Sequence, residues 1–244
     1  ETTGYDIELG WRDQVGDFSY SVSANLSDFV SKMGDLGGTE FLGEKVKMKG
    51  SEFNEWYGYL SDGLFLTQED VDNSPKLNNN VKVGDIKYKD ISGPDGVPDG
   101  KISSEYDRVC LGGSLPRYTF GVNFAASYKG FDLAMMFQGV GSQNVRINSN
   151  MIEGLRNNWC GFPSILEGNY WSVNNTDAEN AKAIYPRLTR NNIDSNMAMS
   201  DFWMFNGAYF RLKNITLGYN IPNTFTEKFH IKDIRVYGSI SDLL

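Results

Sequence analysis

The chain has 244 residues, a formal net charge of −8, 40% hydrophobic and 14% aromatic residues, and 26 glycines. The acidic balance argues against a nucleic-acid partner, which would require a basic face, and no run approaches the roughly 18 apolar residues of a membrane helix. The opening ETTGYDIELGW lacks a Met, and the chain closes a few residues beyond an apparent strand. Both ends read as cuts through a larger protein, so missing targeting signals say nothing about location.

The first element is a hairpin over Tyr5–Ser27. Tyr5, Ile7, Leu9 and Trp11 alternate with Asp6, Glu8 and Gly10. After a connection expected at Arg12–Gly16, Phe18, Tyr20, Val22, Ala24 and Leu26 alternate with Ser19, Ser21, Ser23, Asn25 and Ser27. A period of two means strand, because successive side chains point to opposite faces. The second strand has a whole face of Ser and Asn, which suits a lumen more than a solvent surface rich in Lys, Glu and Thr.

Asp28 to about Pro116 is long, rich in Gly and Asn, and irregular, with an aromatic cluster at Trp56-Tyr57-Gly58-Tyr59. Such a stretch is foreign to a compact soluble domain and ordinary in the outer loops of a barrel. The clearest signal follows at Arg117–Gly139. Phe120, Val122, Phe124, Ala126 and Tyr128 share one face, and after Lys129-Gly130 the alternation resumes with Phe131, Leu133, Met135 and Phe137. Gly at the second turn position tolerates the positive φ of a primed turn. Each strand is about as long as a bilayer-spanning strand, roughly 9–11 residues.

A second excursion runs from Gln138 to about Asn206 and holds Trp159 and Tyr170-Trp171. The third hairpin pairs Ala208–Tyr219 with Asp233–Ile240 through Asn220–Ile231. Its first strand slips phase near Lys213-Asn214, as a bulge allows. Short connections therefore follow strands one, three and five, and long excursions follow strands two and four. An up-and-down sheet then has every short turn at one end, the plan of an outer-membrane barrel. Trp11, Phe18, Tyr128, Phe131 and Tyr219 gather beside the short turns, where an interfacial girdle belongs. A soluble β-sandwich with aromatic core residues at its strand ends is the competing architecture.

At this point the chain resembles a family. GDIKYKDISGPDGVPDGKISSEYDRVCLGGSLPRYTFGVNFAASYKGFDLAMMFQGV (84–140) is similar to the late-barrel signature of SusC-like TonB-dependent transporters, also known as the RagA/SusC family. AYFRLKNITLGYNIP (208–222), Tyr170-Trp171 with Tyr185-Pro186-Arg187-Leu188, and ELGWRDQVGDFSYSVSANLSD (8–28) resemble further family segments in the same order. The resemblance implies an all-β, antiparallel up-and-down transmembrane β-barrel, of which this chain supplies about six strands of roughly 22. The plug domain, TonB box and terminal strand are not in it. The implied activity is active import of oligosaccharides or peptides across the bacterial outer membrane. The implied partners are a SusD-like surface lipoprotein, outer-membrane lipid and, through the plug, the TonB-ExbB-ExbD complex. A passive porin fits less well, because the motifs are those of plugged importers. The alternative function is a soluble cell-surface module that binds glycans or adheres through its loop aromatics.

The candidate sites are few. Trp56, Tyr57, Trp159 and Trp203 are loop aromatics able to stack on sugar rings or bury peptide side chains, and each also suits packing of the loops on themselves. Tyr170-Trp171, shared by importers of different cargo, points to loop architecture. The loop 90–107 (DISGPDGVPDGKISSEYD) suggests a calcium loop, with Asp95, Asp99, Glu105 and Asp107 as possible ligands. The alternative is plain turn chemistry, since Gly-Pro-Asp-Gly and Pro-Asp-Gly are strong turn formers. Cys110 and Cys160, the only cysteines, are candidates for a disulfide. The single histidine, His230, lies in the third short turn and reads as a solvated turn residue, so no catalytic triad is available and no enzyme is expected. No cofactor is required.

Overall fold

The computed structural model describes residues 1–147, 163–190 and 193–243. Its strands in chain order begin with β1 (Thr2–Val15), β2 (Phe18–Ser31), β3 (Glu40–Leu42), β4 (Lys45–Lys47) and β5 (Glu55–Tyr59). Next come β6 (Ser61–Leu64), β7 (Ile86–Tyr88), β8 (Arg108–Gly112), β9 (Arg117–Tyr128) and β10 (Phe131–Ser142). The last are β11 (Asn144–Arg146), β12 (Met204–Asn206), β13 (Tyr209–Ile221) and β14 (Ile234–Ser241). The chain divides into two compact units. One comprises Glu1–Lys32, Leu115–Gln143 and Asn206–Leu244, and the other Met33–Ser114 and Asn144–Phe205.

The first unit is a six-stranded sheet in the order β1-β2-β9-β10-β13-β14, antiparallel at every step. It is open, with β1 and β14 as edges. Each of the three expected hairpins is present. Lys129 (φ 45°) and Gly130 (φ 88°) make the primed turn between β9 and β10. The phase slip in β13 is a bulge: Met136 faces Asn214 while the next residue, Phe137, faces Leu212, leaving Lys213 as the extra residue.

The first connection is shorter than expected. Arg12–Val15 belongs to β1, and the turn is only Gly16-Asp17, with Gly16 at φ 62°. Asp13 sits at an apolar position of the alternation and so imitates a loop residue. Its backbone nevertheless continues the ladder, pairing with Tyr20. The third connection is a short helical segment, Asn223–Thr226 followed by a 3-10 turn at Glu227–Phe229, and it places the exposed His230 in the left-handed region at φ 59°.

The second unit is more ordered than its irregular sequence suggests. Strands β3-β4-β5-β8 form one sheet, and β6 pairs with β7. A buried cluster of Tyr59, Ile86, Tyr88, Ile102, Leu166, Tyr185 and Trp203 forms its core, drawn from both excursions. Phe65, Val71 and Val81 form a second cluster around the short helix Gln68–Asn73, which Thr67 caps by accepting a hydrogen bond from the Asp70 N–H. The long loops thus bury apolar side chains of their own.

Candidate functional site: a two-faced sheet and a cored loop unit

In the sheet, side-chain alternation and register together fix the composition of each face. One transverse row reads Trp11, Val22, Phe124, Met135, Ile215 and Ile240. The row beside the short turns reads Val15, Phe18, Tyr128, Phe131, Tyr219 and Val236. Aromatic contacts reinforce this face: Phe131 lies 4.5 Å from Tyr219, and, further from the turns, Phe137 stacks on Phe210 at 5.5 Å. Many of the side chains on this face are exposed, among them Leu9, Trp11, Phe131, Leu217 and Val236.

The opposite face is built from hydroxyls and amides. Ser19 and Ser127 share a hydrogen bond of 2.7 Å. Asn214 donates to Ser239 and Ser241 at 3.1 and 3.2 Å, and Thr216 and Ser239 meet at 2.9 Å. Small side chains at Ser21, Ala125 and Ala134 leave a shallow groove of about 230 Å³, bordered by Arg12 and Asp132. Met136 is the one apolar intruder among Asn123, Asn214 and Ser23. Two bidentate ion pairs join distant strand ends. Arg117 donates to Asp28 at 2.5 and 2.6 Å, and Arg235 donates to Asp132 at 3.0 and 2.5 Å.

In the loop unit, two of the recognised segments, 84–140 and Tyr170-Trp171 with Tyr185-Pro186-Arg187-Leu188, converge on Asp85. Its carboxylate is fully buried and accepts two hydrogen bonds from Arg187 at 2.7 and 3.1 Å. It also accepts from Asn196 Nδ2 and the Lys82 N–H, each at 2.9 Å. Trp171 lies against Gly84, where a Cβ would stand 2.4 Å from the indole. The tryptophan is therefore seated by the absence of a side chain on its neighbour, and the shared motif serves architecture.

The loop aromatics divide by burial. Trp203, expected to be available for contact, is 1% exposed, stacks with Tyr185 and donates its indole N–H to Asn196 O at 2.6 Å. That expectation is corrected: Trp203 is a core residue, because its large apolar surface closes the loop unit's own interior. Tyr57 is 9% exposed and packs against Phe41, with the Arg108 guanidinium 5.1 Å from its ring. Trp56 is half-buried, anchored by its indole N–H to Asn144 O at 2.8 Å, with Lys45 4.6 Å from the ring centre. Trp159 lies outside the described residues.

The acidic loop is shaped by its own backbone. Among the described residues no group of three or more His, Cys, Asp or Glu side chains is placed to hold a metal ion, so Asp95, Asp99, Glu105 and Asp107 are not gathered as calcium ligands. Asp107 is fully buried and accepts from the N–H groups of Ile91, Ser92 and Ser103 at 2.8, 3.2 and 2.7 Å. Burial pushes its carboxyl up, but those backbone donors outweigh it and hold the group below the usual range. Asp99 instead accepts from the Lys101 N–H. Cys110 is a free thiol on β8, pushed up to about 11 by burial and by neighbouring Glu55. Cys160, its suggested partner, lies outside the described residues.

An antiparallel sheet apolar on one face and hydroxyl-lined on the other is a segment of a transmembrane-type β-barrel wall, and its fold is similar to the TonB-dependent receptor barrel. Along its whole length the chain is similar to TonB-dependent receptors. TonB-dependent receptor P3 of Formosa agariphila is 26% identical over 260 residues, and TonB-dependent receptor P26 of the same organism is 27% identical over 258. Each alignment covers 100% of this chain and 24% of the relative. No family model matches. Among solved structures, the RagAB peptide transporter superposes with a TM-score of 0.71 at 20% identity. The RagAB peptide importer in its open-open state does so at 0.69 and 20%. Both superpositions take in all of this chain and 25% of the other. The chain thus spans about a quarter of the length of the proteins it matches.

Proposed function

We propose that this chain is part of the barrel wall and outer loops of a TonB-dependent importer in the bacterial outer membrane. The carrying observation is the apolar face, which runs across all six strands, interrupted on β1 by Asp13, opposite a face rich in Ser, Thr and Asn. In water such a face would be a large exposed patch, which speaks against the soluble adhesion module. In lipid it has the right height. From Tyr5 to Val15 the apolar rows extend about 34 Å at ~3.4 Å per residue. A tilt of about 45° reduces this to roughly 24 Å, matching the lipid-facing band of a barrel.

The edges β1 and β14 then pair with further strands of a longer protein, since unpaired edges are not tolerated in lipid. Cargo is an oligosaccharide or a peptide, taken up with a SusD-like lipoprotein and energised through TonB-ExbB-ExbD. The similarity to TonB-dependent receptors and to RagAB importers supports this reading. The Asp90–Asp107 loop needs no metal for it. Within this chain, cargo or lid contact falls to Trp56 and Trp159.

Single cysteines at Val122 and Asn123 in the full-length protein test the orientation. Position 122 should react only with lipid-phase reagents, and 123 with water-soluble ones. An Arg at 122 should cost roughly 2–4 kcal/mol near the bilayer midplane. Labelling with the reverse pattern would overturn the assignment.

A further inference from the structure

The two long excursions are distant in sequence but share one buried ionic centre. Asp85 belongs to the first, Arg187 and Asn196 to the second. Around the carboxylate, the Arg187 N–H donates to Gly84 O at 2.7 Å, and the Ile86 N–H to Asn196 Oδ1 at 3.0 Å. The Tyr88 hydroxyl donates to Ser195 O at 2.6 Å. The surrounding core is also mixed, with Tyr59, Ile86 and Tyr88 packed among Leu166, Tyr185 and Trp203.

A buried carboxylate is stable only while its partners are in place, because the desolvated charge has no water to fall back on. If the Arg187 segment lifts away, Asp85 is stranded. If the Asp85 segment lifts away, the Arg187 fork and the Asn196 amide are. We propose that the Asp85–Arg187–Asn196 cluster is a clasp that makes the two excursions a single cooperative unit, so that neither opens without the other. The inference does not depend on the transport reading. Its consequence is that anything seated on one excursion raises the stability of both, a coupling carried by a local opening equilibrium.

Hydrogen exchange on the full-length protein reads the two excursions separately. Asp85→Asn should accelerate exchange about tenfold or more in both 57–90 and 183–205, by similar factors, with the β9–β10 hairpin unchanged. Arg187→Lys keeps the charge but loses the fork, and should produce a smaller, equally shared acceleration. It also serves where Asp85→Asn does not reach the membrane. Combining Asp85→Asn with Arg187→Met should add little to the first change alone. Acceleration confined to the excursion that carries the substitution would overturn the proposal, and so would full additivity.

Discussion

Asp132 and Arg235 form a bidentate ion pair across a strand to which neither belongs. Asp132 is on β10 and Arg235 on β14, with β13 between them. The pair passes over Gly218, where a Cβ would stand 2.6 Å from the carboxylate and 2.7 Å from the guanidinium. The missing side chain opens the passage. Gly218→Val should close it and break the pair. Because both partners remain partly exposed and water screens them, the loss from the pair itself should be small. Asp132→Asn should be equally mild, and it should add nothing in the Gly218→Val background. The temperature at which the full-length barrel loses its folded gel mobility gives the comparison. Additive losses would mean that the pair and the glycine act independently.

Sidedness follows from the order of turns and excursions. The turn at Lys129-Gly130 should face the periplasm, and the loop around Gly100 the outside of the cell. An epitope inserted near Gly100 should be accessible to antibody on intact cells, whereas one near Gly130 should require permeabilisation. The opposite result would invert the topology.

Acid should weaken the loop unit through Asp107. Its carboxyl is held below the usual range in the folded chain, so protons bind the unfolded chain more readily. The stabilisation is complete above the unfolded value of about 3.9 and is lost as pH falls through the lower folded value. Denaturant titrations followed by tryptophan fluorescence, from about pH 6 down to about pH 3, should show stability declining only at the acid end. Asp107→Asn should be less stable at pH 6 and show a shallower acid decline. An unchanged acid slope in the variant would assign the effect to other carboxylates, Asp70 beside Lys87 being the first to consider.

The hairpins and the two faces were legible in the sequence because alternation is local: Phe120 to Phe137 states its own register. The bulge was legible too, since an extra residue at Lys213 shifts the phase of every side chain beyond it. The first turn was misplaced because one polar residue, Asp13, broke the apolar pattern without breaking the backbone ladder. The loop core was not legible at all. Asp85 and Arg187 are 102 positions apart, and no periodicity records a contact of that separation. The interior of the acidic loop was hidden for a related reason. Spacing reports where carboxylates lie along the chain, but the partners of Asp107 are backbone N–H groups, and turns supply those whatever their side chains.

The aromatic residues of the loop unit should separate into two experimental classes. Trp203 fills the core, so Trp203→Ala should cost about 3–5 kcal/mol and expose the loops to protease before any change in cargo binding can be read. Trp171→Ala should behave similarly, because the indole covers Gly84 beside the Asp85–Arg187 pair. Trp56 differs: it keeps partial exposure while its N–H is fixed on Asn144 O, an arrangement that presents a rigid ring at low entropy cost. Trp56→Ala in the full-length protein should therefore weaken cargo or lid binding at normal expression and normal protease resistance. Trp159→Ala should do the same. Affinity for the cargo, growth on it and protease resistance, measured together on the four variants, place each residue in its class. If Trp56→Ala and Trp159→Ala import normally while Trp203→Ala keeps its protease resistance and loses only binding, the two classes have been assigned the wrong way round.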